Sequence, residues 1–383
     1  MRVAPPDNEL SGPPIDAVPA PTLSFLEPGY LLGSSMAPFP RSDLAEQVAA
    51  LAAQGIYVGT SSWKYEGWLG LLYTPERYLT RSKISRAKFQ ATCLNEYAEV
   101  FKTVCADAGY YQFPSAKMLD GYFSQVPGDF RLSIKVTEEI TVKRFPNLPR
   151  YGKRAGQMNP HFLDADLFIA SFLTPLAPYH NRVGTLFFEF SPFHVGDWER
   201  GRDFVAQLDA FLAQLPPGWN YSVEIRNESF LHPEYFAALR KNGVAHAFNS
   251  WSRMPPILAQ LALAGSETTH FSSARFLLRP GRNFEQAVAL FQPYTEVKEP
   301  YLEAREALTE LLTPATPGRS NTRFVYVNNR LEGCALWTIY AVISGLLKRS
   351  EVNAVSPLPC RSPVSSSSLH LLPRKSSESI ASP

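Results

Sequence analysis

Cysteine is scarce in this 383-residue chain, present only as Cys93, Cys105, Cys334 and Cys360. The four are scattered and form no CxxC pair, which removes the usual zinc spacing and a dense disulfide framework. A reducing, cytoplasmic setting is the compartment this implies. Excess charge is lacking too. The net charge is +2, so no global field draws the chain to nucleic acid or to an anionic membrane. Long apolar runs are missing as well. The longest, Ala335 to Leu347, contains Thr338, Ser344 and Gly345 and falls short of the ~20 residues that span a bilayer. It reads as a buried or amphipathic helix, and no membrane partner is expected. Val3 to Ala20 is interrupted by Pro5, Pro6, Pro13, Pro14 and Pro19, so a secretory leader with an unbroken apolar centre is not expected. There is no GxGxxG after the first strand, no P-loop, no GxSxG elbow and no HExxH. The commonest dinucleotide, nucleotide-phosphate, hydrolase and zinc-protease chemistries therefore have no anchor.

What is present is a regular alternation. Residues 1–41 are Pro-rich. Residues 350–383 are Ser/Pro-rich, the part from Glu351 holding ten serines and five prolines. Neither composition can bury enough apolar surface to offset ordering entropy, and both segments are expected to be disordered tails. Between them, 42–349 reads as one domain that opens with a helix over 43–54 capped by Ser42. Eight β-rich runs follow: 56–62, 103–111, 130–137, 184–190, 221–227, 244–250, 273–279 and 324–329. Helical patterns separate them, at 94–101, 116–126, 164–179, 198–215, 233–242, 255–264, 283–294 with 303–312, and 334–348. Alternating β and α implies parallel strands with helical crossovers. Eight such units predict an α/β fold, a (β/α)₈ TIM-like barrel.

Several strands alternate in polarity, although a plain parallel strand is apolar on both faces. Leu132, Ile134 and Val136 oppose Ser133, Lys135 and Thr137. Leu186, Phe188 and Phe190 oppose Thr185, Phe187 and Glu189. Tyr221, Val223 and Ile225 oppose Ser222, Glu224 and Arg226. The apolar face must meet the helices, so the polar face points into the lumen. Asp107, Lys135, Glu189, Glu224, Arg226, Arg275 and Asn328 are then lumen candidates, placed near the strand exits where barrel sites lie. Buried charges must pair or meet a ligand. An interior salt-bridge network that only fills the barrel is the bland alternative.

Glu189 and Glu224 sit at comparable heights on adjacent strands, and either is a candidate general base, with Lys135 beside them. Paired carboxylates suit glycoside hydrolysis, but neighbouring cations would keep both ionised and leave no general acid. Lys135, Arg226, Arg275, Arg279 and Arg282 suggest an anion pocket, since guanidinium groups fit phosphate and carboxylate. Trp63, Tyr65 and Tyr111 line the expected mouth, as stacking surfaces or as ordinary core. No cofactor is expected. The one metal arrangement open to these residues is a carboxylate-only Mg²⁺ or Mn²⁺ site at Asp107, Glu189 and Glu224. His246 is the only histidine inside a predicted strand, so a histidine-rich metal site is not expected. The insertion 138–162 mixes Lys143, Arg144, Arg150, Lys153 and Arg154 with Phe145, Tyr151 and Phe162. Such a segment suits a lid, a solvated loop, or a surface for single-stranded nucleic acid. The leading expectation is an enzyme acting on a small anionic (phosphate or phosphodiester) or polyhydroxylated substrate. The alternative is a non-catalytic ligand- or nucleic-acid-binding module.

The run Gly59-Thr60-Ser61-Ser62-Trp63-Lys64-Tyr65-Glu66-Gly67-Trp68-Leu69-Gly70 resembles the opening motif of the domain-of-unknown-function-72, or YecE-like, family. Tyr110-Tyr111, Ser133-Ile134-Lys135, Ile140-Thr141, Glu224-Ile225-Arg226, Arg275 and Asn328-Asn329 resemble later family segments in the same order. The resemblance implies a TIM-like barrel and brings no established reaction. It also marks departures: Cys105 and Asp107 stand for a family Glu and Asn, Glu189 for a Gln, and Ser191 for a Pro.

Overall fold

The computed structural model describes residues 38–355 apart from 108, 195 and 315–321. Most of both expected tails lies outside the described residues. Eight parallel strands close into a barrel: β1 Ile56–Thr60, β2 Thr103–Ala106, β3 Arg131–Lys135, β4 Val183–Phe190, β5 Tyr221–Ile225, β6 Ala245–Ser250, β7 Phe271–Phe276 and β8 Thr322–Val327. Each pairs with its neighbour in sequence, and β8 pairs with β1. The predicted (β/α)₈ barrel is therefore the fold.

Strand parity decides what each face meets. Leu186, Phe188 and Phe190 face the outer shell, where Phe188 stands edge-on to Phe211 at 5.3 Å and Phe190 to Phe204 at 5.3 Å. Both partners belong to the helix Gly201–Leu212. Each such phenylalanine contributes roughly 1.5–3 kcal/mol on burial. His246 points the same way, among Tyr235, Phe236 and Phe248. Burial lowers its pKa to about 4, so it stays neutral core. Inside the barrel, Phe187, Phe271, Phe324 and Tyr326 form a small separate cluster with Cys105, Ala245 and Ala247. Hydroxyls close this floor. Tyr326 hydroxyl bonds Ser133 Oγ at 2.6 Å and Thr103 Oγ1 at 2.8 Å, and Ser222 Oγ bonds Thr185 Oγ1 at 3.0 Å and Ser273 Oγ at 2.9 Å. The floor is thus filled and hydrogen-bonded, and the charged side chains lie above it.

Several element boundaries differ from expectation. The leading helix is Arg41–Ala53, preceded by Pro40, so Ser42 lies inside its first turn and caps nothing. The helix predicted at 94–101 is Arg86–Tyr97, capped by Ser85, whose oxygen accepts from the Lys88 N–H at 3.3 Å. The stretch 164–179 is broken into short helical pieces because Pro175 and Pro178 lack the N–H that a continuous helix needs. The last helix, Ala335–Val355, runs past the expected start of the tail at 350, with no proline until Pro357 to stop it. Residues 347–355, the end of this helix, belong to a unit separate from that of the barrel. No helix among the described residues is long and apolar enough to cross a membrane.

Candidate functional site

Six charged side chains, on or just past the ends of five strands, converge at the C-terminal end of the lumen. The register sets Glu189 directly beside Glu224, and Asn249 beside Arg275. Arg275 bridges the two glutamates, its NH1 lying 2.6 Å from Glu189 Oε2 and 2.6 Å from Glu224 Oε2. Arg226 closes the second side, with Nε 2.9 Å from Glu224 Oε1 and NH2 2.8 Å from Glu189 Oε2. Lys135 Nζ reaches the same Glu189 oxygen at 2.9 Å. Three cations therefore meet on one carboxylate oxygen. Glu224 is fully buried and Glu189 nearly so. Burial works to raise the Glu189 carboxyl, but Arg226, Lys135 and Arg275 outweigh it and hold it well below the usual carboxylate range.

Asp107 is the loose member. Its side chain is 26% exposed, and its Oδ1 lies 3.5 Å from Lys135 Nζ and 3.9 Å from Arg275 NH2, with no hydrogen bond. It sits just past the end of β2, in a loop that turns back over β3. Gly109 permits that turn, because a Cβ there would stand 2.9 Å from the Lys135 carbonyl oxygen. The loop lays the Tyr110 ring against Lys135 Nζ at 3.9 Å, while Trp251 stacks on the Arg226 guanidinium at 3.8 Å. Besides Asp107 Oδ1, the acceptor Asn249 Oδ1 and the donor Arg275 Nε are buried here with no hydrogen-bond partner among the described residues. A donor and an acceptor left unpaired in one lumen are groups that a polar ligand could satisfy.

The other candidate residues spread out. Tyr111 stays at the mouth, packed edge-on against Tyr110. Tyr65 packs on Trp68 and Tyr294. Burial raises its hydroxyl's pKa, opposed by Arg330 and reinforced by Asp107, which places it near both. Trp63 is core, edge-on to Tyr122. Asn328 and Asn329 shape the backbone: Asn328 Oδ1 accepts from the Arg330 N–H at 2.9 Å and Asn329 Oδ1 from the Ala335 N–H at 2.8 Å. Arg279 and Arg282 are engaged by Glu299, at 3.6 and 2.6 Å, and make no contact with the six-charge cluster. Among the described residues no set of carboxylate, histidine or cysteine groups is spaced to hold a metal. Arg275 NH1 occupies the bridging position between Glu189 and Glu224 that a cation would need.

Asn249, Trp251 and Arg330 were absent from the sequence reading. Asn249 was legible, since Ala245, Ala247 and Asn249 alternate with bulky His246 and Phe248. Arg330 had no such signal, because it lies beyond β8. It forms no ion pair among the described residues and rests on Phe284 at 4.5 Å. It also acts electrostatically on Tyr65 and Tyr294.

The insertion 138–162 is folded onto itself. Val142, Phe145 and Tyr151 form their own small core. Its basic groups are largely engaged: Arg150 with Glu138 at 3.2 Å, Arg154 with Glu139 at 2.7 Å, and Arg144 with Asp197 at 3.6 Å. Tyr151 donates to the same Glu138 oxygen at 2.8 Å, and Arg150 also lies over Tyr111 at 5.0 Å. This clasp ties the insertion to the rim. Arg150→Met should therefore speed trypsin cleavage after Lys153 and Arg154. Cleavage no faster than in the parent protein would remove the clasp from the account.

The family described as "Protein of unknown function DUF72" matches residues 57–361. The UPF0759 protein YecE of Escherichia coli (strain K12) is 25% identical over 182 residues, 48% of this chain and 50% of that protein. The chain thus spans about half the length of the curated relatives it matches. The crystal structure of the DUF72 family protein EF0366 from Enterococcus faecalis V583 is similar with a TM-score of 0.50 at 18% identity, over 76% of this chain and 95% of that one. The DUF72 family protein TM1631 from Thermotoga maritima MSB8 gives 0.49 at 20% identity, over 77% and 99%. Identities this low speak to the fold alone.

Proposed function

The chain belongs to the DUF72 family, and from that premise we propose that the barrel mouth binds a small anionic or polyhydroxylated ligand, with Lys135 and Arg275 as its anion receptors. The observation that carries the proposal is the uneven grip on the carboxylates. Glu189 and Glu224 are locked by contacts of 2.6–2.9 Å, whereas Asp107 holds the outer faces of Lys135 and Arg275 only at 3.5 and 3.9 Å. A ligand carboxylate or phosphate can take the place of Asp107 at modest electrostatic cost. Trp251 and Tyr111 offer flat surfaces to the rest of the molecule.

This reading gives Glu189 and Glu224 a positioning role in place of the general-base role expected from sequence. A base works best with a pKa near the working pH, and three cations hold Glu189 far below it. The glutamates instead fix the guanidinium planes and the ammonium before the ligand arrives, which lowers the ordering cost of binding. A small ligand fits these groups better than nucleic acid does. Phe145 and Tyr151, the aromatics that would stack on bases, are buried, and most basic groups of the insertion are already paired.

The test begins with native mass spectrometry of freshly purified protein, expected to show a bound small molecule. Inorganic phosphate then serves as the titration probe. Asp107→Asn removes a like charge from the receptor and should bind phosphate more tightly than the parent protein. Equal or weaker binding by the variant would refute the displacement of Asp107.

A further inference from the structure

A second cleft, of about 170 Å³, opens between the insertion and the loop after β4. None of the six lumen charges lines it. We propose that this cleft is a separate binding site for a small organic carboxylate with a compact apolar body.

Three features of the cleft support this. The first is a cation in no direct ion pair, with Asp197 and Asp203 acting on it only at longer range. Lys143 Nζ lies against the Trp198 ring at 2.9 Å from its centre and forms no salt bridge among the described residues. The neighbouring Arg144 is already engaged, its Nε 3.6 Å from Asp197 Oδ1 and its NH1 donating to the Gly156 carbonyl at 3.1 Å. The second is a pair of idle hydroxyls. Thr141 Oγ1 and Ser191 Oγ are buried and have no hydrogen-bond partner among the described residues, and both residues line the cleft. Thr141 as a whole is 1% exposed. Lys143, Thr141 and Ser191 line one cleft, and an ammonium with two unpaired hydroxyls supplies donors for an oxyanion. The third is the surroundings. Phe193 and Pro192 supply apolar walls, suited to a ring or short aliphatic body. The volume is below the roughly 300–1,000 Å³ of drug-sized sites, so the ligand must be small.

Asp197 sharpens the class. Its carboxylate is buried beside the cleft, held by Arg144 and by the His194 N–H at 2.8 Å. Asp203, which also acts on Lys143, is paired with Arg200 at 3.4 Å, so Lys143 and Arg144 against Asp197 leave an excess of one positive charge. A monoanionic carboxylate balances it, whereas a doubly charged phosphate would overshoot and be repelled by Asp197.

Benzoate is the probe, followed by tryptophan fluorescence because Lys143 rests on Trp198. A saturable change is expected in the parent protein and equally in Lys135→Met, which disables the lumen receptor. Lys143→Met and the near-isosteric Thr141→Val should each weaken benzoate by about tenfold or more, as expected for a contact to a charged group. Benzyl alcohol, with the same body and no charge, should bind at least about tenfold more weakly. Unchanged affinity in Lys143→Met and Thr141→Val, equal binding of benzyl alcohol, or no saturable response overturns the site. Loss of benzoate binding in Lys135→Met moves it to the lumen and also overturns it.

Discussion

Glu189→Gln should lower the free energy of unfolding by roughly 3–5 kcal/mol, the usual cost of removing one partner from a buried ionic network. The variant leaves Lys135, Arg226 and Arg275 facing one another around a neutral amide. Its Oε atom can accept only part of what the carboxylate oxygen accepted from three donors. Urea unfolding of both proteins reads this directly, with an unchanged slope showing that the same surface is exposed. The acid limb adds a second readout. The folded pKa of Glu189 lies below its ordinary value of 4.5. The stabilisation is therefore present above that value and is lost as pH falls from about 4.5 toward the folded pKa. The parent protein should lose this contribution below pH 4.5, and the variant, which has nothing to protonate there, should show a flatter acid limb. A loss under about 1 kcal/mol, comparable to an exposed pair, would mean that the convergence on Glu189 contributes little to stability.

The second large effect concerns Lys135. Lys135→Met keeps the length and apolar stem of the side chain and removes the ammonium. Phosphate affinity at the mouth should fall by roughly ten- to a hundredfold, the range for losing a hydrogen bond to a charged group. Any molecule that co-purifies with the parent protein should be missing from native mass spectra of the variant. Stability gives the control. Losing Lys135 also relieves crowding on Glu189 Oε2, which keeps Arg226 at 2.8 Å and Arg275 at 2.6 Å, so Lys135→Met should cost less stability than Glu189→Gln. Full phosphate affinity in a folded Lys135→Met protein would leave Lys135 structural and the anion receptor without its centre.

Some of this site was legible in the sequence because strand side chains alternate. Ser133-Ile134-Lys135 and Ser222-Val223-Glu224 place their polar members on one face, and a closed barrel gives that face one destination. The same parity rule would have found Asn249. It could not separate Arg275 from Arg279, since both have the same parity in one predicted strand, 273–279. Arg275 is still within the ladder and aims inward, whereas Arg279 lies beyond the end of β7 and binds Glu299. It could not place Trp63 either, because an aromatic residue at a strand exit can stack on a ligand or fill core, and neighbours such as Tyr122 arrive from a different element. Nor could it show that the basic insertion neutralises itself, since Arg150 to Glu138 and Arg154 to Glu139 form only when the segment folds back.

The order of polar and apolar residues by itself determined the eight-stranded barrel, the inward charges and the end at which they gather, because period and parity are local properties of a chain. The tertiary structure decided which charges meet. Arg275 bridges Glu189 and Glu224 across 86 and 51 residues of sequence. It decided too that Asp107 is held loosely. These are matters of distance between strands brought together only by closure, and Coulomb energy depends on that distance and on the water excluded around it.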